Sequence, residues 1–342
     1  MAKPFSFVKS VFAGAVTLSA MSLFVACGGD DKNPAAPSDP VPSSSSVAGG
    51  DIGQGTSSQA LQDPASSSAA LPVVESSSSA GAVVPPVSDN PLVYSIDPTL
   101  AVTPDADGFY YIADIYKALP ATSKVVFVIR HSEREKSEGQ ESLLTANGEQ
   151  MAIKLGADMG GDEPFYYAST DFIRTRETCK KIAEGRGETA EVVTWDAING
   201  SYFLKISSDS FDDLVGKRGG SWKNMSQWAY GAEISAAYVA RAVATDTVFY
   251  DLFERGHQFV NEVVLANLPS WKRVNFLASH DVLLEPLTIY ATNRAIDLKF
   301  YDSGKWINYI AGVAIVVNEA GAVSLFPVRG ADQGWMYYVK ME

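Results

Sequence analysis

The chain has 342 residues, 46% of them hydrophobic, and a formal net charge of −13 at pH 7. That hydrophobic fraction is enough for an ordinary buried core. The acidic balance, with no Lys/Arg run in the sequence, argues against a nucleic-acid partner, which needs a basic stripe. An anionic small molecule stays admissible wherever a few arginines converge.

Length alone suggests about two domains, but the first quarter lacks the composition of folded structure. Lys3 and Lys9 give a positive start, and Val11 to Val25 is apolar but too short and wrongly flanked to span a membrane. The stretch ends in Leu23-Phe24-Val25-Ala26-Cys27-Gly28. This resembles a bacterial lipoprotein signal, which implies cleavage before Cys27 and lipidation of that cysteine. Phe24 departs from the usual leucine, and an ordinary secretory signal is the alternative. Either signal takes the chain out of the cytoplasm. Gly28 stands where inner-membrane retention would use an aspartate, which favours an outer membrane.

The expected organisation is a signal peptide over 1–26, lipidated Cys27 and a linker over 27–90, and a folded domain over 91–342. The linker is Ser, Pro, Ala and Gly, with serine runs at Ser43–Ser46, Ser66–Ser68 and Ser76–Ser79. Such a composition cannot bury enough apolar area to offset its ordering entropy, so it reads as a flexible tether. Cys179 is the one other cysteine, so a lipidated Cys27 leaves no disulfide framework. In its helical pattern Cys179 reads as a buried, inert thiol.

In the domain, Lys124–Ile129 (KVVFVI) is a β-branched run without polar interruption, the pattern of a strand covered on both faces. Thr145–Met159 has helical spacing, with Thr145 as N-cap. Phe165–Ala168 reads as a strand, Phe172–Ala183 as a helix and Glu191–Trp195 as a strand. A Gly-, Ser- and Trp-rich insert follows, around 199–245, in which Trp222 and Trp228 are candidate substrate contacts. Thr247–Leu268 reads as one long helix stopped by Pro269. Arg273–Ser279 is a strand followed by apolar Val282–Tyr290. Val313–Val317 and Ala322–Phe326 flank a hairpin turn. The alternation predicts an α/β domain, a three-layer αβα sandwich with a mostly parallel sheet.

Ligands of such sheets bind beyond the C-terminal strand ends. Three predicted strands deliver chemistry there: Arg130-His131, Ser169 with the loop to Arg174, and His280-Asp281. A phosphate monoester carries nearly two negative charges and calls for guanidinium groups, a role that fits Arg130 and Arg174. A neutral imidazole at His131 could attack phosphorus. His257, in a polar stretch, reads as a surface residue, and Arg176 as solvated. No metal-ligand motif such as HExxH occurs, and no cofactor is expected.

Four segments in order resemble the histidine phosphatase superfamily, which includes phosphoglycerate mutases and acid phosphatases. Arg130-His131-Ser132-Glu133 is similar to its RHG(E/Q) signature, with Ser132 in place of the glycine. Leu144-Thr145-Ala146-Asn147-Gly148-Glu149-Gln150-Met151-Ala152 is similar to LTxxGxxQA, and Ser169–Thr178 to SxxxxRAxxT. Ser279-His280-Asp281 stands where the second histidine is expected. The resemblance implies a phosphoglycerate mutase-like fold and a phosphohistidine at His131, with Arg130, Arg174, His280 and Arg134 binding phosphate.

The mutase-like branch places a glutamate where this chain reads Asp196-Ala197-Ile198-Asn199-Gly200. The acid-phosphatase branch uses the Asp of a His-Asp pair, matched by Asp281. Its second arginine is matched by Arg134, although Lys136 replaces the proline that follows. Asp281 is therefore the expected acid, with Asp196 or Glu233 as fallbacks; a helix cap is its alternative role. The implied partner is a small phosphorylated substrate, with membrane contact through Cys27 only. A catalytically inactive phospho-ligand-binding lipoprotein is the alternative.

Overall fold

A computed structural model describes residues 90–136, 139–215, 220–232 and 245–337. The expected signal peptide, Cys27, the linker as far as residue 89, and Glu233 lie outside the described residues. In chain order the elements are β1 (Tyr110–Tyr111), α1 (Ile112–Ala118), β2 (Lys124–Arg130), α2 (Ala146–Met159), β3 (Tyr166–Ser169), α3 (Ile173–Gly185) and β4 (Val192–Thr194). Then come α4 (Ser208–Val215), α5 (Gly220–Tyr230), α6 (Thr245–Val248) and α7 (Leu252–Gln258). The last are β5 (Val274–Ser279), α8 (Asp281–Ala291), β6 (Lys305–Ile307), β7 (Ala311–Val317), β8 (Val323–Arg329) and β9 (Trp335–Tyr337).

Among the described residues, seven strands form one sheet in the order β1-β8-β7-β2-β5-β3-β4, and β6 pairs with β9 in a small second sheet. β2, β5, β3 and β4 pair in parallel, as do β1 and β8, while β7 runs antiparallel to β2 and to β8. The run KVVFVI explains why β2 lies at the centre. Its period-two alternation sends Val125, Phe127 and Ile129 into one apolar cluster and Val126 and Val128 into another. The first cluster is closed by α1, α2 and α3, and the second by α4, α5, α7 and α8. Burial of each such side chain stabilises by roughly 1.5–3 kcal/mol. Two faces covered by helices make the αβα sandwich.

Thr145 caps α2 as the sequence indicates, its hydroxyl accepting from Gly148 N at 2.9 Å. Cys179 is fully buried, and burial pushes its thiol up to about 12. The segment read as one helix over 247–268 is instead broken. α6 ends at Val248, Asp251 caps α7 by accepting from Phe253 N and Glu254 N, and α7 runs on into a wide π turn over Phe259–Leu265. The apolar spacing ran through the break because Phe249 is itself a core residue, stacked 4.4 Å from Trp228. Trp228 thereby serves the core, and Trp222 leans on Trp306.

Candidate active site

β2, β5 and β3 end at one edge, in a register that sets Arg130 beside Ser279 and Ser169 beside Ala278. The ladder continues one step, with His131 N donating to Ser279 O at 2.9 Å and Thr170 N to Ala278 O at 3.3 Å. Arg130, His131, Thr170, Arg174 and His280 are all buried there. Asp281, the first residue of α8, has a side chain only 16% exposed.

His131 Nδ1 lies 2.7 Å from Ser132 O. A carbonyl can only accept, so Nδ1 carries the proton and Nε2 keeps its lone pair. Burial first, then Arg174, Arg130 and His280, hold its pKa well below the ordinary imidazole value. His131 is therefore a neutral imidazole with a free nucleophilic nitrogen. The serine that replaces the signature glycine fits without strain: Ser132 Oγ donates to Gly148 O at 2.7 Å, and Ser132 N donates to Thr178 Oγ1 at 2.9 Å. A Cβ at Gly148 would lie 2.0 Å from Glu133 O, so the first turn of α2 can press against this loop only as glycine.

His280 sits edge-on to His131, ring centroids 5.7 Å apart. Its Nδ1 accepts from Arg174 Nη2 at 3.4 Å, and its Nε2 then donates to Thr170 Oγ1 at 3.0 Å. Burial, then Arg174, pull its pKa down to about 3, so it too is neutral. A Cβ on Gly200 would meet Val282 Cγ2 at 2.6 Å and His280 Cβ at 3.6 Å. The loop after β4 thus braces the second histidine through a glycine.

Arg130 donates from Nη1 to Ile307 O at 2.7 Å and pairs through Nη2 with Asp281 Oδ2 at 3.3 Å. Arg174 donates from Nη1 to Gly139 O at 2.7 Å, and its guanidinium lies 4.4 Å over the Phe172 ring. Burial and then the like charge of Arg134 pull the Arg174 pKa down to about 9, which leaves it cationic at neutral pH. The Nε–H of both arginines is buried with no partner among the described residues. An unmade hydrogen bond of this kind costs about 1–3 kcal/mol or more for a charged group. Arg134 is half-buried and donates to Glu135 O, and its charge reaches both Arg174 and His280.

Asp281 accepts from Trp306 Nε1 at 3.0 Å and from Val282 N at 3.1 Å. Burial pushes its carboxyl up, but Arg130, the Trp306 N–H and the Val282 N–H outweigh burial and hold it below the usual carboxylate range. The expected acid is thus at the site, as an ion-paired carboxylate. The fallback Asp196 is exposed and lines a 410 Å³ groove with Asn199, Tyr202 and Arg255, a lining that includes neither histidine of the site. His257 stacks on Tyr94 at 5.3 Å and is outside the site. Arg176 pairs with Asp171 and stays partly exposed. Among the described residues, no group of three or more His, Cys, Asp or Glu converges as metal ligands would.

Sequence reasoning missed the wall formed by Trp306–Ile310 and Glu285. Glu285 is fully buried, accepts from Ile307 N at 3.1 Å through Oε2, and leaves Oε1 without a partner. Burial raises its pKa well above the ordinary value of 4.5, opposed by Ile307 N–H and Arg130. Ile310 has φ = 52°, a left-handed conformation that costs a side-chain-bearing residue about 1–2 kcal/mol. Hydrogen bonds from Ile310 N to Arg130 O and from Gly330 N to Ile310 O hold it there.

A family model for the histidine phosphatase superfamily, branch 1, matches residues 126–301, just over half of the chain. The chain belongs to the histidine phosphatase superfamily. Its similar solved structures include a mycobacterial glucosyl-3-phosphoglycerate phosphatase, 15% identical over 61% of this chain and 100% of that one, TM-score 0.37. Another is the Bacillus anthracis phosphoglycerate mutase, 16% identical over 60% of this chain and 93% of that one, TM-score 0.37. A third is an Entamoeba histolytica phosphoserine phosphatase in complex with 3-phosphoglyceric acid, 16% identical over 59% and 96%, TM-score 0.38. A search of curated proteins returns no match. In this histidine phosphatase fold the four segments read from the sequence converge on one strand edge, and the Ser132 departure is absorbed by Gly148.

Glu285 yields a pH prediction. The native state keeps a proton that the unfolded chain releases above about pH 4.5, so the wild type loses stability as pH rises from there toward the raised native pKa. The slope is about 1.4 kcal/mol per pH unit. Glu285→Gln keeps the acceptor for Ile307 N and cannot ionise. Urea melts between pH 5 and 8 should show the variant's advantage widening with pH; a constant difference would mean that Glu285 titrates normally.

Proposed function

We propose that this histidine phosphatase-fold protein is a phosphomonoester hydrolase that works through a phosphohistidine at His131, without a metal. One observation carries the reading: two buried guanidinium Nε–H donors without partners among the described residues flank a histidine held neutral with Nε2 free. Phosphoryl transfer needs in-line placement and charge stabilisation more than any other help. Arg130, Arg174 and His280 supply the stabilisation, with Arg134 at the rim. His131 Nε2 bonds to phosphorus as the ester oxygen leaves, and that oxygen takes a proton from Asp281. Water then attacks phosphorus, gives its proton back to Asp281, and breaks the phosphorus–nitrogen bond.

For this role Asp281 must be protonated when substrate is bound. A dianionic phosphoryl group competes for Arg130 and adds like charge beside the carboxylate, and both effects raise the pKa of Asp281. The ion-paired resting state favours a second reading, in which the pocket binds phosphorylated ligands and turns none over. Membership supports a phosphatase or a mutase. Hydrolysis is preferred because the proposed export separates the protein from cytoplasmic intermediates and no mutase-type glutamate follows β4.

The purified full chain should hydrolyse an aryl phosphate in the presence of a chelator, and His131→Ala should lower kcat by at least about 10³. Phosphate binding without turnover by the wild type would establish the binding-protein reading instead. For Asp281→Asn, turnover should fall about 10²–10⁴-fold with alkyl phosphates and far less with aryl phosphates, whose leaving group needs no proton. An equal loss with both would clear Asp281 of the acid role.

We also propose that Cys27 carries lipid and tethers the domain in the bacterial envelope, on the outer-membrane side where one exists, so that the substrate is extracytoplasmic. The Leu23–Gly28 segment and the Ser/Pro linker support this. Metabolic labelling with palmitate should mark the wild type and not Cys27→Ser; equal labelling of both would refute it.

A further inference from the structure

Tyr309 enters the site from outside every segment that carries the family resemblance. The Arg130 guanidinium lies 4.4 Å over its ring centroid. The same ring packs 5.9 Å from that of His131 at an interplanar angle of 45°. Tyr309 is therefore bordered by the proposed nucleophile and by Arg130, whose Nε–H has no partner among the described residues. It is half-buried, and its hydroxyl has no hydrogen-bond partner among the described residues.

The backbone holds the ring in place from both sides. Asn308 Oδ1 accepts from Tyr309 N at 2.8 Å, while Asn308 Nδ2 donates to Gln333 O at 2.9 Å. On the other side is Ile310 in its left-handed conformation, tied to Arg130 O and Gly330 N. A β-branched residue adopts that conformation only where its surroundings impose it. The ring is thus fixed against Arg130 before any ligand arrives.

We propose that Tyr309 is a phosphoryl-binding residue of this site, its hydroxyl donating to a non-bridging oxygen of a bound phosphate monoester. Its ring covers one face of Arg130 and leaves the guanidinium edge, with its unpartnered Nε–H, to the same phosphoryl group. A phenol hydroxyl offers one donor and no charge, so it adds a fixed direction to a site whose charge the arginines already supply. The assignment rests on the phosphatase reading for its substrate, whereas its binding claim requires only a phosphate anion.

Two substitutions and two readouts separate these claims. Tyr309→Phe keeps the ring over Arg130 and removes the hydroxyl; Tyr309→Ala removes both. Inorganic phosphate titrated calorimetrically into the full chain should bind Tyr309→Phe about tenfold more weakly than wild type, the loss expected for one hydrogen bond to a charged group. Tyr309→Ala should bind more weakly still. With an aryl phosphate, Tyr309→Phe should lose a similar factor in kcat/KM, with an unchanged midpoint of urea unfolding. If Tyr309→Phe binds phosphate as the wild type does and only Tyr309→Ala is impaired, Tyr309 is packing for Arg130 and the proposal is overturned. Wild-type turnover tests the phosphatase reading separately: phosphate binding that weakens in Tyr309→Phe, with no turnover by either protein, sinks that reading and upholds Tyr309. A wild type that neither binds phosphate nor turns over substrate overturns both.

Discussion

Two guanidinium groups are buried at one sheet edge, close enough to depress neighbouring basic groups, with Asp281 as the ionised carboxylate paired to Arg130. This surplus of positive charge sets the protonation of the whole site. Both histidines stay neutral because a third and fourth cation would have to be desolvated beside the first two. Asp281 stays ionised because Arg130 and the Trp306 N–H reward its charge more than burial penalises it. Glu285, one helical turn further along α8, has one backbone N–H and no ion pair among the described residues, so there burial prevails. Two carboxyls on one face of one helix are thereby driven to opposite states.

The one antiparallel strand of the seven-stranded sheet among the described residues explains how the wall of the site is built. β7 pairs with β2 so that Gly312 lies opposite Ile129. A chain entering β7 must therefore cross the C-terminal end of β2, which is the edge where ligands bind. Residues 306–310 make that crossing. They are fixed by Trp306 on Asp281, by Ile307 on both Glu285 and Arg130, and by Ile310 on the Arg130 carbonyl. The strain at Ile310 is local to this crossing, where the chain must turn into the strand at once.

What the sequence revealed follows from where its physics is local. β2 was legible because a strand with two covered faces is a plain apolar run, and α2 because Thr145 caps it. The Arg, His and Thr segments were legible because each lies directly after a strand or within the first turns of a helix. The wall was not: Trp306, Tyr309 and Ile310 sit in a stretch without period, and their placement comes from a strand pairing with β2 some 180 residues earlier. Glu285 was hidden in an apolar helical run, where only the structure shows that it meets Ile307. The broken helix after residue 245 failed for the opposite reason. Phe249 continued an apolar rhythm while its backbone had already left the helix to pair with Leu204, and Tyr250 N donates to Phe203 O.

The same charge balance bears on how a phosphatase of this design would release its leaving group. At rest the strongest interaction of Asp281 is with Arg130, a cation that a phosphoryl group would also claim. Binding of the dianion weakens the ion pair and adds repulsion, so the free energy that keeps Asp281 ionised falls at the moment a proton is needed. In the proposed mechanism, once the ester oxygen has left and Nε2 of His131 carries the phosphoryl group, Asp281 has given up its proton and is again a carboxylate. It is then the form that can take a proton from the attacking water. One carboxyl can serve both half-reactions only if its pKa tracks the phosphoryl charge beside it, and its pairing with Arg130 couples the two.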